Sequence, residues 1–199
     1  DEPFSNLDAK LREQMRTEVK ILQRRLGITV LFVTHDQTEA LSLSDRIAVM
    51  QNGKVEQLGP PQELYANPRT PAVRDFLGRT LSFTGKLVEQ AGGEQRVALS
   101  SGLQLTVRGC SRGVKLSVGD ACLVTVRPEF VVAQPAEGSG PIGENTITAR
   151  LFALLFMGNH YEASLETPNG ENILVTLPAS GSWQERQALV LFLPADRLQ

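Results

Sequence analysis

Apolar residues recur at spacings of three and four near the start of the chain. The stripe consists of Leu11, Met15, Val19, Leu22 and Leu26. This spacing is typical of an amphipathic helix, so we predict a helix over residues 8–26. Asp8 is suited to cap its start, and Gly27 is suited to the left-handed residue that follows a helix.

The next residues, 28–33, form a nearly unbroken apolar and β-branched run. Such a run predicts a parallel strand that is buried on both faces. Asn52-Gly53 lies between two further apolar runs and predicts a hairpin. The other elements predicted before residue 80 are helices at 37–44, 61–66 and 71–77 and hairpin strands at 46–50 and 55–58.

From residue 81 the pattern changes to short strand-like runs that alternate with glycine-rich turns. Regularly spaced short strands predict a small barrel or sandwich. Residues 135–143 are rich in glycine and proline and predict a linker or long loop between two sets of strands. The predicted strands are 83–88, 96–99, 103–107, 121–127, 145–156, 160–166, 172–177 and 188–193. We therefore expect α/β character to about residue 58, a helical bridge to residue 79 and all-β structure beyond.

Composition narrows the function classes only slightly. A formal net charge of −2 over 199 residues argues against a general nucleic-acid-binding protein. Basic residues cluster in the first predicted helix, but acids are interleaved with them, which is typical of a solvated face. Cys110 and Cys122 have no cysteine or histidine at metal-ligand spacing, so we expect no zinc and two partly buried side chains in a reducing compartment. No apolar run reaches the roughly 18 residues of a transmembrane helix.

Two short polar motifs carry the candidate chemistry. Asp1-Glu2 is an acidic pair, and His35, one of two histidines, follows the predicted strand at 28–33. Ligands gather at the ends of strands in open α/β sheets. Taken alone, the acidic pair is also typical of a solvated terminus, and a lone histidine is also typical of a structural hydrogen-bonding group.

Several segments together resemble a known family. Ser5-Asn6-Leu7-Asp8 is similar to the D-loop of ATP-binding cassette (ABC) transporters, and Thr34-His35-Asp36-Gln37-Thr38-Glu39-Ala40 is similar to their switch-histidine segment. Arg127-Pro128-Glu129 resembles a segment of the importer subclass that carries a C-terminal TOBE (transport-associated oligonucleotide/oligosaccharide-binding-like) domain, which is an OB-type barrel. The resemblance implies two domains. Residues 1–79 would be the C-terminal part of an ABC nucleotide-binding domain, a partial P-loop NTPase α/β fold, and residues 80–199 an OB-like regulatory domain.

The resemblance also implies a role for individual residues. Asp1 would hold Mg²⁺ through water, Glu2 would polarise the attacking water, and His35 would contact the terminal phosphate of ATP. Ser5 and Asp8, in the segment similar to the D-loop, would contribute to nucleotide binding where this turn meets a second subunit. Asp8 can serve as a helix cap at the same time.

Other motifs of the family are absent from the 199 residues. The sequence contains neither Gly-x-x-x-x-Gly-Lys-Ser/Thr nor Leu-Ser-Gly-Gly-Gln, so the backbone that cradles phosphates is missing. We expect these motifs upstream of Asp1, and we expect the chain alone neither to bind ATP tightly nor to hydrolyse it. The strand at 28–33 would then lack its neighbours, so we expect a second copy to order it by association or strand exchange.

The function that the resemblance implies is that of an ATPase subunit at the cytoplasmic face of the inner membrane, which uses ATP and Mg²⁺ to energise a solute importer. Its partners would be a second copy, transmembrane permease subunits and, indirectly, a periplasmic solute-binding protein, with no nucleic acid. One alternative is a non-catalytic OB-like module in which residues 145–199 bind oxyanions, sugars or a regulatory protein. Another is that the β region only stabilises a dimer, with the apolar run at 151–156 as core. No residue identifies the transported solute.

Overall fold

The chain separates into two compact units, Asp1–Gly78 and Arg79–Gln199, each with a hydrophobic core of its own. The computed structural model describes residues 2, 4, 7–109, 115–137 and 143–199. Within these ranges, no helix combines the length and the apolar character needed to cross a bilayer.

The described part of the first unit contains four helices and one β-hairpin. They are α1 (Ala9–Leu26), α2 (Gln37–Leu43), β1 (Ile47–Gln51), β2 (Lys54–Gly59), α3 (Pro61–Ala66) and α4 (Pro71–Phe76). The bounds confirm the predicted helices and hairpin to within the usual uncertainty of element ends. Asn52 and Gly53 both have positive φ, 51° and 75°, as a two-residue turn of type I′ requires.

Helix α1 has the predicted caps. The N–H of Leu11 donates to the Asp8 carboxylate at 3.0 Å, and Gly27 follows the helix with a φ of 63°. None of the helix residues is buried, however. The apolar stripe that predicted the helix is therefore open to solvent, most of all at Leu22 and Leu26.

The predicted parallel strand at residues 28–33 is wrong for this chain. These residues form neither helix nor strand, and the side chain of Leu31 is 94% exposed. A strand needs a neighbouring backbone that exchanges hydrogen bonds with it. The backbone contact that the described residues supply is one hydrogen bond, from the N–H of Glu2 to the carbonyl of Val33 at 2.8 Å. The α/β nucleotide-binding fold predicted for this part stays a prediction.

The described residues of the second unit, 79–109, 115–137 and 143–199, form a β-structure with one short 3₁₀ helix, Pro128–Phe130. Its strands are β3 (Leu81–Ala91), β4 (Glu94–Leu99), β5 (Gln104–Val107), β6 (Ala121–Val126), β7 (Val132–Pro135), β8 (Thr146–Phe156), β9 (His160–Glu166), β10 (Asn172–Pro178) and β11 (Ala188–Phe192). The predicted strands are all confirmed. The sequence analysis missed β7, which is only four residues long and has no alternation of buried and exposed positions.

The strands of this unit form two antiparallel sheets. The strand order is β5-β4-β3-β6 in one sheet and β10-β9-β8-β11-β7 in the other. Alternate residues of both sheets face inward and form one core, as expected for two sheets that each have one solvated face. The all-β, OB-like part of the fold prediction is therefore confirmed.

A buried asparagine joins the two sheets. The side-chain oxygen of Asn145 accepts the N–H of Thr106 at 2.7 Å, and its side-chain nitrogen donates to the carbonyl of the same residue at 2.7 Å. Thr106 lies on β5, and Asn145 directly precedes β8. Both residues are buried, so their polar groups need hydrogen-bond partners within the protein. The side-chain amide of Asn145 supplies these partners to Thr106, because β5 is an edge strand with no neighbouring strand on that side.

The expectation that residues 151–156 are core is only partly right. Leu151 is fully buried, whereas Phe152, Leu155 and Phe156 are exposed. Side chains alternate between the two faces of a strand, and the pairing of β8 with β9 shifts by one residue between Leu151 and Ala153. An apolar run at 151–156 therefore contributes to both the core and the outer face.

Candidate functional site

The candidate site lies at the start of α2. Asp36 is the N-cap of this helix, and its Oδ1 accepts the N–H groups of Thr38 at 2.7 Å and Glu39 at 3.1 Å. A carboxylate at this position satisfies donors that have no partner within the helix. The cap fixes where the helix begins, and it therefore fixes the chain immediately after His35.

A second set of hydrogen bonds fixes the chain before His35. The hydroxyl of Thr34 donates to Oε2 of Glu39 at 2.6 Å and accepts the N–H of Asp36 at 3.0 Å. Glu39 is a buried residue, 3% exposed. The sequence analysis did not assign a role to Thr34 or Glu39. The signal was present, since an acid at the N-cap followed three residues later by Glu is close to a capping box.

Glu2 and His35, the two predicted catalytic residues, are in contact. Nδ1 of His35 lies 2.5 Å from Oε1 of Glu2, and the side chains remain 76% and 45% exposed. The hydrogen bond to Glu2, followed by the negative charge of that carboxylate, raises the pKa of His35 above its ordinary value, and Asp36 and Glu39 add smaller contributions in the same direction. The imidazolium form is therefore favoured by its surroundings.

This pair predicts a specific titration. NMR of the His35 imidazole should give a pKa above the ordinary value of about 6.5, and Glu2→Gln should return it towards that value. Because the folded-state pKa is raised, the contact contributes stability below the ordinary pKa, and this contribution is lost as the pH rises through the raised pKa. An unchanged His35 titration in the Glu2→Gln variant would contradict the contact.

Of the other predicted site residues, Asp8 alone lies within the described part of the chain. Asp1 and Ser5 lie outside the described residues. Asp8 is described, and its carboxylate caps α1. Its role in nucleotide binding, like those of Asp1 and Ser5, stays a prediction. The structure brings Glu2 and His35 into contact, and residues 28–33, the predicted strand before His35, form no sheet with other described residues.

The described residues could contact only part of a magnesium nucleotide. Glu2 and His35 offer a carboxylate and an imidazole that solvent reaches. Within the described ranges, no group of three or more His, Cys, Asp or Glu side chains is placed to hold a metal. Asp1, the predicted Mg²⁺ ligand, lies outside the described residues. The sequence also contains no motif for a phosphate cradle. Glu2 and His35 alone therefore do not make up a complete site for a magnesium nucleotide.

The other histidine and the cysteines were assigned no catalytic role from the sequence. His160 pairs with its neighbour, Nδ1 to Oδ1 of Asn159 at 2.7 Å. Cys122 is a free, half-buried thiol, and burial raises its pKa, as expected for a small structural side chain. Cys110 lies outside the described residues.

A cleft of about 250 Å³ opens between the two sheets of the second unit. Apolar side chains line part of it, and hydroxyl, amide and carboxylate groups line the rest. The lining residues are Phe83, Leu99, Ser101, Leu103, Thr146, Ile147, Thr148, Thr167, Pro168, Asn169 and Glu171. None of these described residues is basic, so the cleft offers no fixed positive charge to an anion.

Comparison with known families and proteins gives one family match in the C-terminal part of the chain and longer matches to single proteins. Residues 124–199 match the TOBE domain. The chain is 39% identical to the spermidine/putrescine import ATP-binding protein PotA of Trichormus variabilis over 178 residues, which cover 89% of this chain and 46% of that protein. It is 40% identical to the Fe(3+) ions import ATP-binding protein FbpC 1 of Rhizobium meliloti over 175 residues, with coverage of 88% and 46%.

A third relative matches over nearly the whole chain. It is the sn-glycerol-3-phosphate import ATP-binding protein UgpC of Chromohalobacter salexigens, 41% identical over 195 residues, which cover 98% of this chain and 50% of that protein. The chain thus spans about half the length of the curated relatives that it matches.

A solved structure supports the architecture of the β unit. The crystal structure of the cytoplasmic molybdate-binding protein ModG, with molybdate bound, is similar with a TM-score of 0.52 and 14% sequence identity, over 60% of this chain and 93% of that one. At this identity the likeness concerns the fold alone.

Proposed function

We propose that this chain, which matches the C-terminal portion of ABC importer ATP-binding subunits, belongs to the ATP-hydrolysing subunit of a solute importer. The observation that carries the proposal is the contact between Glu2 and His35 at 2.5 Å. These two side chains come from segments that resemble different motifs of one catalytic site. The similarity to import ATP-binding proteins over most of the chain supports the same reading.

Each residue has a specific task in this proposal. ATP with Mg²⁺ supplies an activated terminal phosphate whose charge the metal partly neutralises. Glu2 orients and polarises a water molecule, which its exposed carboxylate can reach. His35 contacts the terminal phosphate, and its raised pKa favours the cationic form, which strengthens a hydrogen bond to an anion. Asp1 would hold the metal through water, and Ser5 and Asp8 would serve the contact with the second subunit.

The partners follow from the same proposal. A second copy would complete each nucleotide site, permease subunits would receive the motion at the cytoplasmic face of the membrane, and a periplasmic solute-binding protein would act indirectly through them. The solute stays open. The similar proteins are named for importing spermidine/putrescine, Fe(3+) ions and sn-glycerol-3-phosphate, so the similarity does not select one of these solutes.

The test compares the 199-residue chain with the full-length subunit that the proposal implies. The chain alone is expected to show no tight ATP binding by calorimetry, because it has no phosphate cradle. The full-length subunit is expected to release phosphate from ATP in a Mg²⁺-dependent manner. Micromolar ATP binding by the chain alone would contradict the incomplete-site argument, and a full-length subunit without ATPase activity would overturn the proposed function.

The cleft favours a second candidate function, a ligand-binding module within residues 79–199. Its volume of about 250 Å³ is slightly below the usual range for pockets of drug-sized ligands, so its occupant would be small. Hydroxyl and amide groups beside apolar walls suit a neutral polyhydroxy compound better than an oxyanion. Thermal-shift measurements with sugars, and with molybdate or sulfate as anions, test this. Stabilisation by anions alone would contradict the preference, and no stabilisation by any of them would remove the candidate.

A further inference from the structure

Glu39 is a buried carboxylate that the proposed chemistry does not use. It is 3% exposed, and carboxylates are almost never so buried unless they are paired. Its Oε2 accepts the hydroxyl of Thr34 at 2.6 Å. A group that is costly to bury and that lies within a few residues of His35 calls for an explanation.

The hydrogen bonds around His35 form a closed ring. The hydroxyl of Thr34 donates to the Glu39 carboxylate at 2.6 Å, the N–H of Glu39 donates to Oδ1 of Asp36 at 3.1 Å, and the N–H of Asp36 donates to the hydroxyl of Thr34 at 3.0 Å. Thr34 and Asp36 are the two neighbours of His35 in the chain. The ring therefore holds the backbone on both sides of the histidine.

Apart from its contact with Glu2, the imidazole of His35 is held only weakly. The His35 side chain is 76% exposed, so packing does not restrict it as it would a core side chain. The backbone fixes the point from which the imidazole projects, and the contact with Glu2 depends on that point. A displacement of about 1 Å at a reacting group is enough to cost roughly 100-fold in rate.

We infer that Thr34 and Glu39 are positioning residues that aim His35 at its partners, through the ring that they form with Asp36. The partner seen in the structure is Glu2. The inference that the ring aims His35 at Glu2 rests on these distances alone. The partner in catalysis would be the terminal phosphate, and this part of the inference rests on the proposed function.

Four variants and one control separate positioning from general stability. Thr34→Val keeps the shape of the side chain but removes one donor and one acceptor from the ring, and Thr34→Ser keeps both. Glu39→Leu removes the acceptor, and Glu39→Gln keeps an oxygen that accepts from Thr34. The control is Thr38→Val, the same chemical change at an exposed position outside the ring.

The first measurement uses the 199-residue chain and needs no nucleotide. In Thr34→Val and Glu39→Leu we expect the amide of Asp36 to exchange at least about 10-fold faster, since it loses its partner or its rigid setting. We also expect the NMR titration of His35 to move towards that of the Glu2→Gln variant. Thr34→Ser and Thr38→Val should resemble the parent chain in both respects. Glu39→Gln should keep the parental exchange rate, and its His35 titration shows how much of the shift in Glu39→Leu comes from the lost charge alone.

The second measurement uses the full-length subunit. Thr34→Val and Glu39→Leu should lower kcat for ATP hydrolysis by about 10- to 100-fold, with the KM for ATP changed by less than about 3-fold. Thr34→Ser and Glu39→Gln should recover most of kcat, and Thr38→Val should not change it. In a His35→Ala background, Thr34→Val should cause no further loss, because it acts through the residue already removed.

The outcomes separate the two claims. If His35→Ala leaves ATP hydrolysis intact, the catalytic role proposed for His35 fails, and the exchange and titration data still decide the positioning role. If His35→Ala abolishes turnover but Thr34→Val and Glu39→Leu leave kcat, amide exchange and the His35 titration unchanged, the inference is overturned. A further loss from Thr34→Val in the His35→Ala background would overturn it as well. Should Thr34→Val fail to fold, the pair Glu39→Leu and Glu39→Gln gives the same comparison.

Discussion

Replacing His35 with alanine in the full-length subunit is expected to lower kcat for ATP hydrolysis by at least about 100-fold, the range seen when a positioned acid–base or charge-stabilising group is removed. The affinity for ATP should change by less than about 3-fold, because a phosphate cradle elsewhere would supply most of the binding energy. Phosphate release gives the rate, and a nucleotide titration gives the affinity.

The chain provides a matched control for this experiment. His160 is the other of its two histidines, and its imidazole lies 2.7 Å from the side-chain oxygen of the adjacent Asn159. His160→Ala removes the same side chain from the second unit and should leave both kcat and ATP affinity unchanged. Hydrolysis at the parental rate by His35→Ala would refute the role of His35, and equal losses in both variants would show that the effect is not specific to the site.

Replacing Asn145 with alanine is expected to lower the free energy of unfolding of the second unit by about 3–5 kcal/mol. The change leaves the N–H and carbonyl of Thr106 without their partner, and both residues are buried. An unsatisfied buried group costs about 1–3 kcal/mol, and we take about 1–2 kcal/mol for each of these two uncharged groups, the lower part of that range. Asn145 also has a φ of 56°, a left-handed conformation in which alanine is strained by about 1 kcal/mol more than glycine.

One further variant separates the cost of the lost hydrogen bonds from the cost of backbone strain, and a second variant serves as a control. Asn145→Gly tolerates the positive φ, so it should show only the loss of the two hydrogen bonds, about 2–4 kcal/mol. Asn169→Ala changes an exposed asparagine of the same unit and should stay within about 0.5 kcal/mol of the parent. Urea unfolding followed by fluorescence of Trp183, the single tryptophan, reports on this unit because Trp183 packs against its core. A loss below about 1 kcal/mol for Asn145→Ala would contradict its role as the link between the sheets.

The local elements could be predicted because their signals lie within a few residues. Asp8 and Gly27 mark the two ends of α1, and Asn52-Gly53 fixes the hairpin between β1 and β2. Short strand-like runs separated by glycine-rich turns predicted most strands of the second unit. Strand β7 was missed because its four residues carry no alternation of their own, and it exists through its pairing with β11.

The candidate site was predictable in part. The motifs around Glu2 and His35 identified two residues that the structure places in contact. The buried acid Glu39 was not identified as part of the site, although its spacing from Asp36 resembles a capping box. Its hydrogen bond to Thr34 depends on how the chain turns before α2, and periodicity does not describe that turn.

The sequence by itself determined the helices, the hairpin, most strands and the motifs of the candidate site, because each depends on neighbouring residues. The tertiary structure alone decided which of these pieces meet. It left residues 28–33 without the sheet that their composition favours, divided the apolar run at 151–156 between core and surface, joined β5 to the start of β8 through Asn145, and closed the ring around His35. Burial and pairing need partners that are distant in the sequence, and a local pattern carries no information about whether those partners are present.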